Sequence, residues 1–354
     1  MKLLRLQNIQ ALRALAVLMV VFVHLMMNER RASEDQILSP LFVYGVSGVD
    51  LFFVISGFIM VYISQGKFGS WPFSAQFILE RAARIYPPAM LFTALTIVGI
   101  VVAGTSEKWL PNNNILFSFL LLPQAKIPLL SVAWTLIHEL YFYLVFSVFL
   151  LTKPRWLPLW LLLWTGFVLA GNQAGIWPLN PWTKIIFHPL TFEFIAGAVV
   201  GLLAIHFKPR WGLGCLLVGA GLFLAGMVWL YPGVIEKFPY GWPRVLAFTP
   251  GAALMVYGAF AMEAVGGGKP PKFLIQIGNW SYSLYLSHLL VIATLAHIWM
   301  RFARQGVIDN ILFVLVAFTA VFVVAVLSYV LFERPILRIA KTNIKRWFHS
   351  KSDN

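Results

Sequence analysis

The sequence predicts an all-α integral membrane protein that crosses the bilayer about ten times. Three observations carry that expectation. The first is composition: hydrophobic residues make up 60% of the 354 residues and charged residues 11%, with a mean hydropathy of +0.81. A soluble domain carries about 25% charged residues, so the surface of this chain must itself be apolar. The second is segmentation. A span needs about 20 apolar residues, because a helix rises ~1.5 Å per residue through a hydrocarbon core of ~30 Å. Ten segments qualify: 9–27, 41–64, 86–104, 131–152, 156–171, 184–206, 211–231, 244–264, 281–300 and 311–333. The third is loop charge. With the N-terminus in the cytoplasm, most of the 27 basic residues share its side, among them Lys67, Lys153, Arg155, Lys208, Arg210, Lys269, Lys272 and Arg334. That bias predicts two cytoplasmic ends.

The elements follow in order. The N-terminal 25 residues have a basic start and an apolar run but no small-residue cleavage site, and Arg13 and His24 interrupt them. They read as a retained first span rather than a signal peptide. The stretch 115–122 is short and precedes Pro123 and Pro128, which suits a half-span or a re-entrant piece. The segment 156–171 is the shortest of the ten. Residues 266–272, GGGKPPK, read as a flexible connection. The division expected is a membrane domain over 1–338 and a basic cytoplasmic tail over 339–354, with the basic run 334–351 beside an anionic leaflet. No internal repeat is evident.

Composition also excludes function classes. The net charge of +14 is scattered between apolar segments and forms no stripe for nucleic acid. The single cysteine, Cys215, rules out an intrachain disulfide and any Cys-based metal site. No HExxH spacing occurs, and no metal is expected. The 14 tryptophans suit the aromatic belts of a bilayer interface.

Ionisable groups inside a span are costly, so each is a candidate for function. Six stand out: Arg13, His24, Asp50, Glu139, Glu193 and His288. Arg13 and His24 are eleven residues apart, about three helical turns, so they share a face at a separation of ~16 Å. Arg13 then lies toward the cytoplasm and His24 toward the exterior. Asp50 and Glu139 fall at depths similar to His24. A histidine beside a carboxylate makes a general base, because the carboxylate fixes the tautomer and supports the imidazolium. The same groups also suit structural ion pairs between helices. His138 and Glu139 are adjacent and point to different faces. Arg81 and Arg84, in ERAARIYPP, stand before the third span on the cytoplasmic side. Three apart on a helix, they form a fork suited to phosphate, to a lipid headgroup or to topology anchoring.

These residues fall in patterns that resemble the membrane-bound acyltransferase family 3, in its exopolysaccharide O-acetyltransferase branch. The resemblance runs from about residue 8 to 338. The family's R-x10-H motif is matched by Arg13 and His24, its GVDLFFVISGF signature at 48–58 and its R-x-x-R motif by Arg81 and Arg84. Trp134, Thr135, Leu136 and Glu139 match a WTLxxE element, Ser281 to His288 an SYSLYLxH element, and Glu333, Arg334 and Pro335 the terminal ERP. His138 before Glu139, and Leu289 where many members carry Trp-Pro, depart from the wider pattern.

The resemblance implies a bacterial inner-membrane enzyme that moves an acyl group from acyl-CoA, in the first instance acetyl-CoA, to a carbohydrate hydroxyl. No tightly bound cofactor is implied. His24 would be the base or acyl carrier, oriented by Glu139 or Asp50. Arg81 and Arg84 would hold the CoA phosphates and Arg13 the thioester end or a partner carboxylate. Trp134, Tyr282, Tyr285 and His288 would line the substrate cavity. The chain carries no SGNH-type domain, so an acyl relay would need a separate partner. A glycolipid or small-molecule transporter is the alternative, since intramembrane charges mark transport paths too.

Overall fold

A computed structural model describes residues 6–33, 36–111, 113–234, 241–304 and 306–349. Among the described residues there is no strand. The helices are α1 (Gln7–Ser33), α2 (Gly48–Ile63), α3 (Trp71–Val102), α4 (Ser106–Trp109), α5 (Ile115–Leu120), α6 (Trp134–Phe149) and α7 (Leu157–Gln173). They continue as α8 (Pro181–Ile186), α9 (Thr191–His206), α10 (Gly212–Val234), α11 (Trp242–Ala264), α12 (Lys272–Trp299), α13 (Val307–Ser328) and α14 (Arg334–His349). Nine helical stretches among the described residues are long and apolar enough to cross a bilayer. The protein is an all-α, multi-pass membrane protein. The fifth expected span, 156–171, is α7, whose 17 residues make about 26 Å of helix, less than a full crossing. Its outward side is nevertheless apolar, with Leu159, Leu162, Leu163 and Phe167 exposed.

The chain forms two compact units. The first comprises residues 1–20, 44–70 and 148–281. Its helices pack through glycine. A Cβ on Gly57 of α2 would sit 2.0 Å from the Phe194 carbonyl oxygen, and one on Gly197 of α9 2.0 Å from that of Val54. These two helices therefore touch backbone to backbone, as small residues permit in a membrane. The hairpin α10–α11 repeats the device at every seventh residue, with Gly212 facing Gly258, Gly219 facing Gly251 and Gly226 facing Ala247. Seven residues are close to two helical turns, so each glycine returns to the same seam. Gly219→Leu should therefore abolish accumulation of folded protein, because its Cβ would meet the Met255 nitrogen at 2.7 Å. Gly221→Leu on the same helix meets nothing within 4 Å and should accumulate like wild type, by size-exclusion of solubilised membranes. Equal yields of the two variants would refute close packing at the seam.

Asp50 of α2 is joined in this unit to Arg244 of α11. Arg244 donates from Nε to Oδ1 and from Nη2 to Oδ2, both at 2.8 Å, and also from Nη2 to the Val46 carbonyl at 3.2 Å. Both side chains have 0% exposure. Glu193 of α9 is buried and within electrostatic range of both. Arg13 donates from Nη1 to Gln10 Oε1 at 3.2 Å. Glu263 of α11 accepts from the backbone N–H groups of Gln7 and Asn8 at 2.7 and 2.9 Å, capping the start of α1. A carboxylate there satisfies donors that the first helical turn leaves open.

The second unit comprises residues 21–43, 71–147 and 282–354. Here α3 corrects the expected start of the third span. It begins at Trp71, not 86, and carries Pro87 and Pro88 within it. Arg81 and Arg84 thus lie inside a helix rather than ahead of one. A proline removes one backbone donor, and in a membrane a neighbouring group compensates the freed carbonyls. Tyr282 of α12 reaches this stretch and donates its hydroxyl to the carbonyl of Ile85, two residues before Pro87, at 2.9 Å. At 32 residues, α3 is about 48 Å long, more than the ~30 Å core. Arg81 and Arg84 stand about 15 and 20 Å from its first residue.

A π-helical turn, Tyr329–Glu333, leads from α13 into α14. This last helix runs unbroken across the boundary expected at 338–339, and the end of the expected tail, 350–354, lies outside the described residues. It is amphipathic and packs against α3. Its basic residues include Arg338, Lys341 and Lys345, while Ile339 and Trp347 are exposed. That pattern suits a helix lying in the bilayer interface.

Candidate active site

The polar residues of the second unit form three layers along α12, counted by the helix rise. The first surrounds Tyr282. The Arg84 guanidinium lies 5.9 Å from the centre of its ring, and that of Arg81 lies 5.7 Å from Phe77 and 5.9 Å from Tyr143. Tyr143 donates a short hydrogen bond to Glu139 four residues before it on α6. Glu139 and Glu333 are both within electrostatic range of Arg84. Ser283 donates to Glu333 Oε2 at 2.6 Å, joining the SYSLYLxH and ERP motifs. Lys341 of α14 lies within electrostatic range of Arg81, Arg84 and Lys345, so α14 adds cations to the layer.

The second layer is one turn further on. The Tyr285 hydroxyl bonds Thr135 Oγ1 at 2.9 Å and donates to the Val132 carbonyl at 3.2 Å. Thr135 also bonds the Val132 carbonyl, at 3.0 Å. These contacts hold α12 to the start of α6. Trp134 packs edge-on against His138 with ring centres 5.8 Å apart.

The third layer is a histidine pair. His288 Nε2 lies 3.2 Å from His24 Nδ1, and the rings meet at 62° with centres 4.9 Å apart. His288 Nδ1 lies 3.1 Å from the Leu284 carbonyl. A carbonyl has no hydrogen to give, so Nδ1 of His288 carries one. In the neutral pair Nε2 of His288 is then an acceptor, which puts a hydrogen on His24 Nδ1. The hydrogen positions are assigned from this bonding pattern. His24 is thereby held in the tautomer whose Nε2 bears the lone pair. That is the form a general base or nucleophile needs.

His24 also lines a cavity of about 930 Å³ within this unit. Its walls come from the last turns of α1, α3 and α12 and from the 129–131 segment. They are mostly apolar, as in ligand pockets generally, and the volume lies at the upper end of that class. Trp134, Tyr282, Tyr285 and His288 are not among its lining residues. Tyr282, Tyr285 and His288 are buried in the packed layers, with His288 at 0% exposure.

The structure thus brings His24 to His288, and Arg81 and Arg84 to Glu139 and Tyr282. Asp50 is taken up by Arg244, and Glu139 by Tyr143. His288 is the group found on His24 Nδ1, where a carboxylate was expected. Sequence reasoning passed over Asn28, Arg31, His297 and Arg301 in the cavity wall and Arg244 beside Asp50. The signal for the α1 residues was present: His24, Asn28 and Arg31 fall at i, i+4 and i+7, one helix face.

A family model described as an acyltransferase domain matches residues 6–330. The chain belongs to acyltransferase family 3. It is 30% identical over 312 residues to the exopolysaccharide production protein ExoZ of Rhizobium meliloti, covering 84% of this chain and 91% of that protein. It is 26% identical to the acyltransferase MdmB of Streptomyces mycarofaciens, over 82% of this chain and 80% of that one. It is 23% identical to the peptidoglycan O-acetyltransferase OatA of Listeria monocytogenes, over 98% of this chain but 58% of that protein. No solved structure matches the chain. This family member is an enzyme that transfers acyl groups other than aminoacyl groups.

Proposed function

We propose that the protein is an O-acyltransferase of the bacterial inner membrane, with both ends in the cytoplasm. The donor is acyl-CoA, with acetyl-CoA the first choice. The acceptor is a hydroxyl of an exported polysaccharide or of its glycolipid precursor. The observation that carries this is the His24–His288 pair, which holds His24 in its basic tautomer at the wall of a large cavity. The likeness to ExoZ and OatA supports the carbohydrate acceptor.

The donor's phosphates dock against Arg81 and Arg84, with Lys341 beside them. Its thioester arm reaches from there toward His24. From Tyr282 to His288 is six residues, about 9 Å of helix, a distance the arm spans while its phosphates stay at the membrane edge. The acceptor hydroxyl comes from the cavity. His24 Nε2 takes its proton as the oxygen attacks the thioester carbonyl. The C–O bond forms, the C–S bond breaks, and the departing thiolate recovers the proton from His24. Arg84 stands over the Tyr282 ring with two carboxylates in electrostatic range, Glu139 and Glu333. Glu139 and Tyr143 position the arginine fork.

The reading is tested with radiolabelled acetyl-CoA in membranes that contain or lack the protein. Label in polysaccharide or glycolipid that depends on the protein is the expected result. Label in neither, with transport of glycolipid intact, would replace the enzyme with a transporter. Arg81→Ala with Arg84→Ala should raise the KM for acetyl-CoA by about tenfold or more, since a charge-assisted contact contributes about 1.5–3 kcal/mol. An unchanged KM would make the two arginines topology anchors.

A further inference from the structure

Among the described residues, the lining of the cavity beside His24 contains two arginines, Arg31 and Arg301, and a second histidine, His297, but no aspartate or glutamate. Two acidic groups near it in the chain, Glu29 and Asp309, have partners of their own. Glu29 accepts from the backbone N–H groups of Ile37 and Leu38, and Asp309 accepts from the Trp299 indole. With both chain ends cytoplasmic, Arg31 and Arg301 lie on the outer side. The positive-inside rule gives basic residues no anchoring role there.

Asn28 supplies an independent sign of a ligand. It is 4% exposed and lines the cavity. Its Nδ2 donates to the His24 carbonyl at 2.8 Å, which fixes the amide, while Oδ1 has no partner among the described residues. An unmet buried acceptor costs about 1–3 kcal/mol, and a hydroxyl of a bound molecule would satisfy it. Asn28 is one turn and Arg31 two turns beyond His24, about 6 and 10 Å along the axis. Apolar positions such as Ile100, Leu129 and Leu290 form most of the remaining wall, with Thr96, Thr105, Ser131 and Thr294 interspersed.

We propose that this cavity is the acceptor site and that it selects an anionic acceptor. A hydroxyl of the acceptor meets His24, a neighbouring hydroxyl donates to Asn28 Oδ1, and a phosphate or carboxylate of the same molecule pairs with Arg31 and Arg301. Guanidinium forks suit either anion. The inference rests on the O-acyltransferase reading for the role of His24, but its test does not need turnover.

Three probes share one oligosaccharide: an uncharged alkyl glycoside, an isoprenyl diphosphate glycoside and a glycoside bearing a uronate. Their binding to the full chain in lipid nanodiscs is measured without donor. At least one anionic probe should bind about tenfold tighter than the uncharged one, the worth of one charge-assisted contact. Whichever anion binds tighter identifies its source, lipid diphosphate or acidic glycan. Arg31→Gln with Arg301→Gln should erase the preference and Arg→Lys at both positions restore part of it, while Asn28→Leu should weaken all three probes. Equal binding of charged and uncharged probes, a preference that survives the double Gln variant, or no binding of any probe would overturn the proposal. Failure of the acyltransferase reading looks different: the anionic preference persists in binding, but no probe gains label from acetyl-CoA.

Discussion

Membranes carrying His24→Ala should transfer acyl groups at a rate on the order of 10²–10⁴ below wild type, the usual worth of a positioned base. The variant should accumulate normally, because His24 is only half-buried and its ring is not part of the close-packed core. Its KM for acetyl-CoA should hold, since the arginine fork is untouched. His288→Ala acts through a different route. It removes the acceptor that keeps the hydrogen on His24 Nδ1, so His24 is free to present either nitrogen protonated. Transfer should fall less than in His24→Ala, and the pH profile of kcat should shift, whereas a merely structural loss would lower the amount of active protein and leave the profile in place. Wild-type-like transfer by His24→Ala, normalised to protein in the membrane, would remove the base from α1 altogether.

How far the sequence revealed this site depends on which physical signal each residue leaves. Composition and apolar run length are local, and they predicted an all-α membrane protein with spans close to those observed. The third span was expected from 86, whereas α3 begins at Trp71 and runs on through Pro87 and Pro88, as prolines are tolerated in helices within a membrane. The pairing of His24 with His288 joins residues 264 positions apart. No periodicity reports which spans touch, so His288 was assigned to a cavity wall and a carboxylate was given its place. Arg244 escaped notice because it stands at the edge of its span, only two residues after Trp242 opens α11. The glycine seam of α10 and α11, by contrast, was open to view at seven-residue spacing, as was the face shared by His24, Asn28 and Arg31. Those are cases where the pattern was present and its geometric meaning needed only the helix period.

Asp50→Ala should cost the protein about 3–5 kcal/mol, because it leaves the Arg244 guanidinium in the packed interior without the carboxylate that accepts its two hydrogen bonds. Membrane domains draw on the same narrow margin as other folds, about 5–15 kcal/mol in total, so most of the variant should be lost from the membrane. Replacing the whole charged cluster has the opposite expected result. Asp50→Leu with Arg244→Met and Glu193→Gln removes both partners and the neighbouring carboxylate together, and buried ion pairs exchanged for apolar groups of similar size are commonly neutral or stabilising. The triple variant should therefore recover much of the wild-type level in the membrane and should also transfer acyl groups. Those two readouts separate the roles that the sequence left open for Asp50. An ion pair that only ties α2 to α11 can be replaced without loss of chemistry. A triple variant that accumulates at the wild-type level but transfers nothing would return Asp50 to the reaction, as the carboxylate that the GVDLFFVISGF signature supplies.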